Sequence, residues 1–584
     1  MRCAGVLLLA GVGAAQASPA ADALLAQCAD CHPGESAAYA ESGMARALEP
    51  LRAGELAGLA PVREPSTGFT YAFEEGAAGA RVVEGFERAG QPPWRDSAPL
   101  AFAIGAGHLD RSYVVQRGGR LWLAPLEVLG HGPERHAALA PAHVITPGTR
   151  FTQPVTPECL GCHTDAPPPR DWPLNRVPEE WEPRGISCAA CHADLAGHVA
   201  ARAAELEGRD GGPDPLARER RWTRTMDMER CAACHLQGDA RVELVPGRLG
   251  PPPPGTPLLA TRAVFVAREP GPEIGFVSHV ERLVHARCYL ESTRRADGGL
   301  RCETCHDPHR TLSEPRERAR VRAACAHCHG EVESPAEAAS CALPRAERPA
   351  ERDCVDCHMR RTGVFDVPAV SIHDHWIQRR PPPPSTPGPL RFPESPQGDW
   401  RLFAWPDEPA PFAADDPGPW TLALAHGGHL ERARAQAARG PGTVAAGLPM
   451  LHHVRASLLE RAGELPAARA AYERALALDP QLAEARINLA PLLARLGAPA
   501  EGLALLDALL ARHPLADSAY RNRAAIHALR DDEPAFRADL EAALRLAPDA
   551  ALAQVLARHA ERRGDAAAAR RWSDEARRLD PRLE

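Results

Sequence analysis

Apolar positions along this chain follow three rhythms. Between about residues 65 and 125 they come in short alternating runs, Phe69 to Phe73, Leu100 to Ile104, Tyr113 to Val115 and Leu121 to Leu123, with Arg117-Gly118-Gly119 between the last two. Period-two alternation interrupted by a glycine turn predicts a small antiparallel β insertion. Beyond about residue 421 the rhythm is helical and repeats. Pro480, Pro514, Pro548 and Pro581 stand 34, 34 and 33 residues apart, and Gly463, Gly497 and Gly564 keep the same phase with Asp531 at the missing step. A 34-residue helix-turn-helix period is that of tetratricopeptide repeats, so residues 421–584 are predicted to form an α-solenoid. Thr421 to Arg439 reads as a degenerate first repeat, and Ala468 and Tyr472 as packing positions. The third rhythm is a single apolar run from Cys3 to Ala15, preceded by Arg2 and closed by Ala15-Gln16-Ala17. It predicts an export signal over residues 1–17 and a periplasmic or otherwise exported mature chain.

Outside the β insertion, residues 18–378 sustain neither the alternating nor the repeating rhythm, and from 379 to 420 the chain is proline-dense, including Pro381 to Pro384, which predicts an extended linker or surface strap. The whole chain has 584 residues, several domains' worth at about 100–200 residues each. A net charge of −8 and 5% aromatic residues do not suggest a basic nucleic-acid binder or an aromatic single-strand binder. All 68 basic residues are arginine. Without lysine the chain builds no Schiff base, lysine general base or lysine metal ligand.

Cysteine spacing decides the chemistry. Of 17 cysteines, 14 form seven Cys-x-x-Cys pairs, each followed at once by histidine: Cys28, Cys31 and His32; Cys159, Cys162 and His163; Cys188, Cys191 and His192; Cys231, Cys234 and His235; Cys302, Cys305 and His306; Cys325, Cys328 and His329; Cys354, Cys357 and His358. This is the attachment signal of c-type haem. Two thiols reach the two vinyl groups on one porphyrin edge, and the next residue swings its imidazole under the iron as proximal ligand. A zinc site would use cysteine pairs in twos without an obligatory histidine after each, and a redox dithiol needs one pair. The expected cofactors are therefore seven covalently attached haems with their iron. Spread over residues 18–378 they leave roughly 50 residues each, too few for separate apolar cores, so a mainly α, haem-packed domain is expected. Arginines between Arg170 and Arg361 are natural partners for haem propionates. The unpaired Cys288 and Cys341 are expected to form a disulfide, with two independent thiols as the alternative.

The chain resembles exported multihaem c-type cytochromes with C-terminal tetratricopeptide repeats, whose haem domain is similar to the tetrahaem electron carrier that accepts electrons from hydroxylamine oxidoreductase. The resemblance rests on Cys28 to His32 followed by Ser42-Gly43-Met44-Ala45-Arg46, on Ile104 to His108 before Ser112-Tyr113, on Gly185-Ile186-Ser187-Cys188 with His192 and His198, on Cys302 to His309, and on His373 to Arg379. One departure is Ala193-Asp194-Leu195, where a glycine-rich turn is family-like and the loop carrying His198 is affected. Distal iron ligands are expected among His108, His198, His309, His373 and His375, which stand in these motifs, together with His285 and, at the first site, Met44. His279 has weaker support. His327, wedged inside the sixth motif, reads as a surface residue.

Two functions remain open on this reading. One is electron transfer along the haems, with the repeats docking a redox partner protein. The other is a multihaem oxidoreductase acting on a small nitrogen or sulfur compound at one open-coordinate haem. Lysine-ligated catalytic haems are excluded by composition, whereas a tyrosine cross-linked one is not, since Tyr39, Tyr71, Tyr113 and Tyr289 remain.

Overall fold

A computed structural model describes residues 26–77, 79–107, 109–169, 172–246, 248, 250–272, 274–293, 295, 298–311, 313–329, 353–367, 370–386 and 399–583, with residues 220 and 221 by backbone only. The expected export signal, His108 and Cys341 lie outside the described residues, and with Cys341 the expected disulfide to Cys288.

The β insertion is an eight-stranded antiparallel sheet, a larger unit than its alternating runs indicate. Its strands are β1 (Leu48–Glu49), β2 (Val62–Arg63), β3 (Thr70–Gly76), β4 (Gly79–Phe86), β5 (Trp94–Ile104), β6 (Asp110–Arg117), β7 (Arg120–Leu129) and β8 (His136–Leu139). Strands β2 to β8 pair in chain order and β1 pairs with β5. The sheet runs from Leu48 to Leu139, beyond the expected limits of 65 and 125, because β1, β2 and β8 are only two to four residues long and too short to show alternation. Gly118 and Gly119 both take positive φ, +57° and +71°, and close the β6–β7 hairpin at the Arg117↔Arg120 pair, as a two-residue turn of matching twist requires. Phe69, Tyr71, Val82, Ala98, Tyr113, Val115 and Leu126 fill the interior of the sheet.

The C-terminal region is a solenoid of antiparallel helix pairs. They are Pro417–His426 with Leu430–Ala438, Pro449–Arg461 with Leu465–Leu478, Ala483–Arg495 with Pro499–Arg512, Asp517–Leu529 with Glu533–Leu546, and Ala550–Arg562 with Ala566–Leu579. The phased residues of the repeat have a mechanical role. Gly463, Gly497 and Gly564 take left-handed φ between the helices of their pairs, and Asp531 does the same at φ +54°, a conformation that aspartate tolerates better than most side chains. Tyr472 and Ala468 are buried between repeats. Within the expected first repeat, Gly428 breaks Thr421 to Arg439 into a hairpin.

The described residues of the proline-dense segment, 379–386 and 399–420, include a strand and core side chains, while 387–398 lie outside the described residues. Strand β13 (Trp400–Leu402) pairs with β10 (Arg262–Ala267), which also pairs with β9 (Ala240–Glu243). β11 (Arg361–Gly363) and β12 (Ser371–His373) form a separate ladder. Trp400 packs with Val242, Phe265 and the first solenoid helices, while Phe403 and Trp405 enter the core around Met228, Val264 and Tyr289. An extended linker or surface strap is the expectation from composition; among the described residues 399–420, Trp400, Phe403 and Trp405 are instead buried in two apolar cores.

The far end of the solenoid returns to the β sheet. The Trp94 indole donates to the Arg578 carbonyl at 3.0 Å, Arg150 to the Leu579 carbonyl at 2.6 Å, and Arg120 pairs with Asp517 at 2.8 Å. Residues nearly 500 positions apart thus meet. No helix among the described residues is long and apolar enough to cross a membrane.

Candidate functional site

The Cys-x-x-Cys-His motifs sit on short helical turns or, for the fourth and sixth, at the C-terminal ends of the longer helices Arg224–His235 and Pro315–His329. A turn places the two cysteines, three residues apart, on one face, and caps hold the turns in place. Asp353 accepts from the Cys354 amide at 2.6 Å, Thr223 caps the helix Arg224–His235, and Ser187 accepts from Ala189 ahead of the third motif. The His32, His192 and His306 amides donate to the carbonyls of Cys28, Cys188 and Cys302 at 2.8, 2.9 and 3.0 Å, which keeps each imidazole beside its cysteines. Gly185 is required where the chain entering the third motif crosses the Ser42–Arg46 turn, since a Cβ there would lie 2.0 Å from the Ala45 carbonyl oxygen. Asp194 takes the left-handed turn at φ +50° and accepts from Gly197 at 3.0 Å. The sequence departure at Ala193-Asp194-Leu195 therefore still starts the helix Leu195–Leu206 that carries His198.

The seven motifs converge on one continuous cavity of about 3950 Å³. All seven motif histidines, His32, His163, His192, His235, His306, His329 and His358, line it, as do all the motif cysteines except Cys31 and Cys328. Met44, His198, His285, His309, His373 and His375 line it too, joined by His131 and His279. The buried His143 instead hydrogen-bonds to the Arg150 carbonyl at 2.6 Å. Among the described residues, no solenoid side chain reaches the cavity wall.

Spatial order departs from chain order. Cys188 lies beside Cys28 and Cys191 beside Cys231, and burial raises both thiols, Cys191 to about 11. Cys231 meets Cys302 and Cys234 meets Cys162; the facing thiol and then burial push Cys231 and Cys234 well up. Cys354, followed by burial, does the same to Cys325, which also lies near Cys305. The motifs therefore run first, third, fourth, fifth, sixth, seventh, with the second set beside the fourth.

Four of the proximal imidazoles face a second imidazole. Ring centroids are 6.4 Å apart for His32 and His198, 6.2 Å for His192 and His309, 6.0 Å for His306 and His375, and 5.3 Å for His235 and His279, with interplanar angles of 25°, 8°, 27° and 17°. His279 also lies 4.5 Å from His375. Several rings are anchored through Nδ1, which leaves Nε2 with its lone pair. His192 donates to Glu219 at 3.1 Å, His198 to Asp214 at 2.9 Å, His309 to Asp307 at 3.1 Å, His358 to the Gln378 carbonyl at 3.0 Å and His375 to the His373 carbonyl at 3.1 Å. Burial lowers His163, His235, His279 and His306 and brings His375 down to about 4, so these rings are neutral near pH 7, the state a metal ligand requires.

Three of these four ring separations fit a haem iron held between the rings, and that of His235 and His279 is about 1 Å shorter. Two imidazoles on opposite sides of one metal, at about 2.0–2.1 Å per bond and with each nitrogen about 1.1 Å from the centre of its ring, have centroids roughly 6.3 Å apart. Divided by seven, 3950 Å³ is roughly 560 Å³ per motif, within the range of about 300–1,000 Å³ for a site holding one small molecule. Twelve arginines and nine carboxylates line the wall, an excess of cationic side chains suited to propionates. Among the described residues no three His, Cys, Asp or Glu side chains converge on one point, as a tetrahedral zinc site would need.

No family model and no curated protein matches the chain. Solved structures do. PilW, a type IV pilus biogenesis factor, is 22% identical over 29% of this chain and 78% of its own, with a TM-score of 0.25. MamA from Desulfovibrio magneticus RS-1 is 17% identical over 28% of this chain and 92% of its own, TM-score 0.25. A thermophilic tetratricopeptide protein of Thermus thermophilus, TTC0263, is 18% identical over 28% of this chain and 91% of its own, TM-score 0.24.

Sequence reasoning ranks His279 low because no motif surrounds it, yet its ring stands near those of His235 and His375. Glu219 and Asp214 lie 27 and 16 residues from the histidines they hold, with no local pattern to mark them. Asp307 is marked by its place between His306 and His309. Of the expected distal residues, His285 lies 5.6 Å from the Trp376 ring and His373 has Nε2 3.8 Å from Asp356. The Met44 carbonyl accepts from Ile186 at 3.0 Å.

Proposed function

We propose that the protein is an exported multihaem c-type cytochrome that transfers electrons along seven covalently attached haems, with the solenoid docking a redox partner protein. The observation that carries this reading is the convergence of seven Cys-x-x-Cys-His motifs, scattered from Cys28 to His358, on a single cavity. When bound, each haem supplies an iron centre that accepts and releases one electron. The paired thiols fix one edge of each macrocycle, so its position is set by the turn that carries them. The proximal imidazoles, and the facing ones at four motifs, supply neutral nitrogen ligands, and their Nδ1 anchors stop the rings from turning. Contact between thiols of neighbouring motifs sets the order in which adjacent sites can exchange an electron. His198, His309 and His375 support six-coordinate sites at the first, third and fifth motifs, and His279 at the fourth.

The solenoid supplies no described group to the wall and is held at both ends, by the core around Trp400 and by the β sheet, so it offers a partner a fixed surface rather than a swinging arm. The deciding measurement is the intact mass of the protein expressed with a haem-attachment system, together with its oxidised spectrum with and without nitrite, hydroxylamine and cyanide. The expected result is a mass increase of seven haems and a low-spin spectrum that these ligands leave unchanged. A colourless protein without the added mass overturns the reading, and a high-spin component that binds nitrite or hydroxylamine replaces electron transfer with open-site chemistry.

A further inference from the structure

Three of the four imidazoles at the first and third motifs donate Nδ1–H to a carboxylate: His198 to Asp214, His192 to Glu219 and His309 to Asp307. At the fourth and fifth motifs the environment differs. His375 donates to a neutral carbonyl, and His235 Nδ1 is buried with no protein partner among the described residues. Each carboxylate also has an arginine close by. Arg202 stands 3.7 Å from Asp214, Arg230 3.7 Å from Glu219 and Arg310 3.6 Å from Asp307, and none of these contacts replaces the one to the ring. Glu219 is fixed further by the Ala193 amide at 2.9 Å, and Asp307 by the His309 amide at 3.0 Å.

We propose that Glu219, Asp307 and Asp214 are positioning residues that make the third and first motifs the low-potential members of the four sites with facing imidazoles. The proposal rests on the multihaem reading above. An imidazole that donates to an ionised carboxylate is a more basic ligand and favours the more highly charged, oxidised iron, which lowers the reduction potential. Both imidazoles at the third motif are held this way and one at the first, so the third site is lowest of the four and the first next. The buried, carbonyl-bonded or unpartnered rings of the fourth and fifth motifs favour the reduced iron. Since the third motif stands beside the fourth, electrons run downhill from the third motif through the fourth to the fifth.

The test is an optical and electron paramagnetic resonance redox titration of the full-length, haem-loaded protein and its variants, after intact mass has verified seven haems in each. Glu219→Gln should move the midpoint of one haem, the lowest of these four, to higher potential and leave the other six in place. Glu219→Asp should restore part of the shift. Asp307→Asn should move the same haem and Asp214→Asn a different one, which keeps the test available if one variant loses a haem. Unmoved midpoints in seven-haem variants, a downward shift, or an equal shift of all haems would overturn the proposal while leaving the multihaem reading intact. A wild-type chain without haem would overturn that reading itself.

Discussion

Arg150 joins the β sheet to the last helix, and replacing it with methionine isolates the contribution of its guanidinium. The side chain donates to both oxygens of Glu84, at 2.6 and 2.5 Å, and to the Leu579 carbonyl, and it lies 4.9 Å from the Phe69 ring centre and 5.1 Å from that of Trp94. Glu84 is fully buried. Arg150 sits at φ +51°, and methionine retains the Cβ, so backbone strain is common to both proteins. Removing one partner of a buried ion pair costs about 3–5 kcal/mol because the other charge is stranded. At about 1.4 kcal/mol per decade this is a loss of amide protection from roughly 10² to several 10³-fold. Native-state hydrogen exchange should record it in β4 and in Ala566–Leu579 together. Burial pushes the Glu84 carboxyl up, so the stranded group takes up a proton in the folded state. A raised folded pKa means stability falls as pH rises past the ordinary carboxyl value, so the deficit should narrow on acidification. Adding Glu84→Gln should recover about 1–4 kcal/mol. A loss below about 1 kcal/mol, or a double variant no more stable than the single one, would refute this account of the junction.

Two further outcomes are expected. Trp400→Ala should destabilise the protein by about 3–5 kcal/mol in denaturant titrations, because the indole is 2% exposed between β10 and the first solenoid helices; a true surface linker would tolerate the change. Burial, with the Asp110 carboxylate second, raises Glu127 to about 8, so stability should decline between about pH 4.5 and 8 as the unfolded chain ionises first; Glu127→Gln should flatten that decline in thermal melts across the same window.

The two periodic regions are legible to different depths. The 34-residue phase marks the left-handed residues Gly463, Gly497, Asp531 and Gly564, because a turn that demands positive φ restricts which residue stands there. The sheet is undersized from sequence because β1, β2 and β8 bury too few residues to alternate. Composition misreads the proline-dense segment, since Trp400, Phe403 and Trp405 are outnumbered by prolines yet supply its contacts. Within the cavity, the attachment motifs are local and legible in full, whereas the facing rings and their carboxylates come from distant segments. Asp214 and Glu219 carry no mark until folding brings them to His198 and His192.

The contacts of Trp94 with Arg578 and of Arg150 with Leu579 make the final helix a clasp on a closed ring. A ribosome delivers that clasp after every Cys-x-x-Cys-His motif has emerged. Closing so long a loop is not prohibitive, since each doubling of loop length adds only about 0.6 kcal/mol. The order of the chain is what matters: these contacts form only once Ala566–Leu579 is present, about 200 residues after the seventh Cys-x-x-Cys-His motif. A chain without Ala566–Leu579 would keep all fourteen motif cysteines and the Arg120–Asp517 pair, but Trp94 and the guanidinium of Arg150 would lose their contacts with the solenoid.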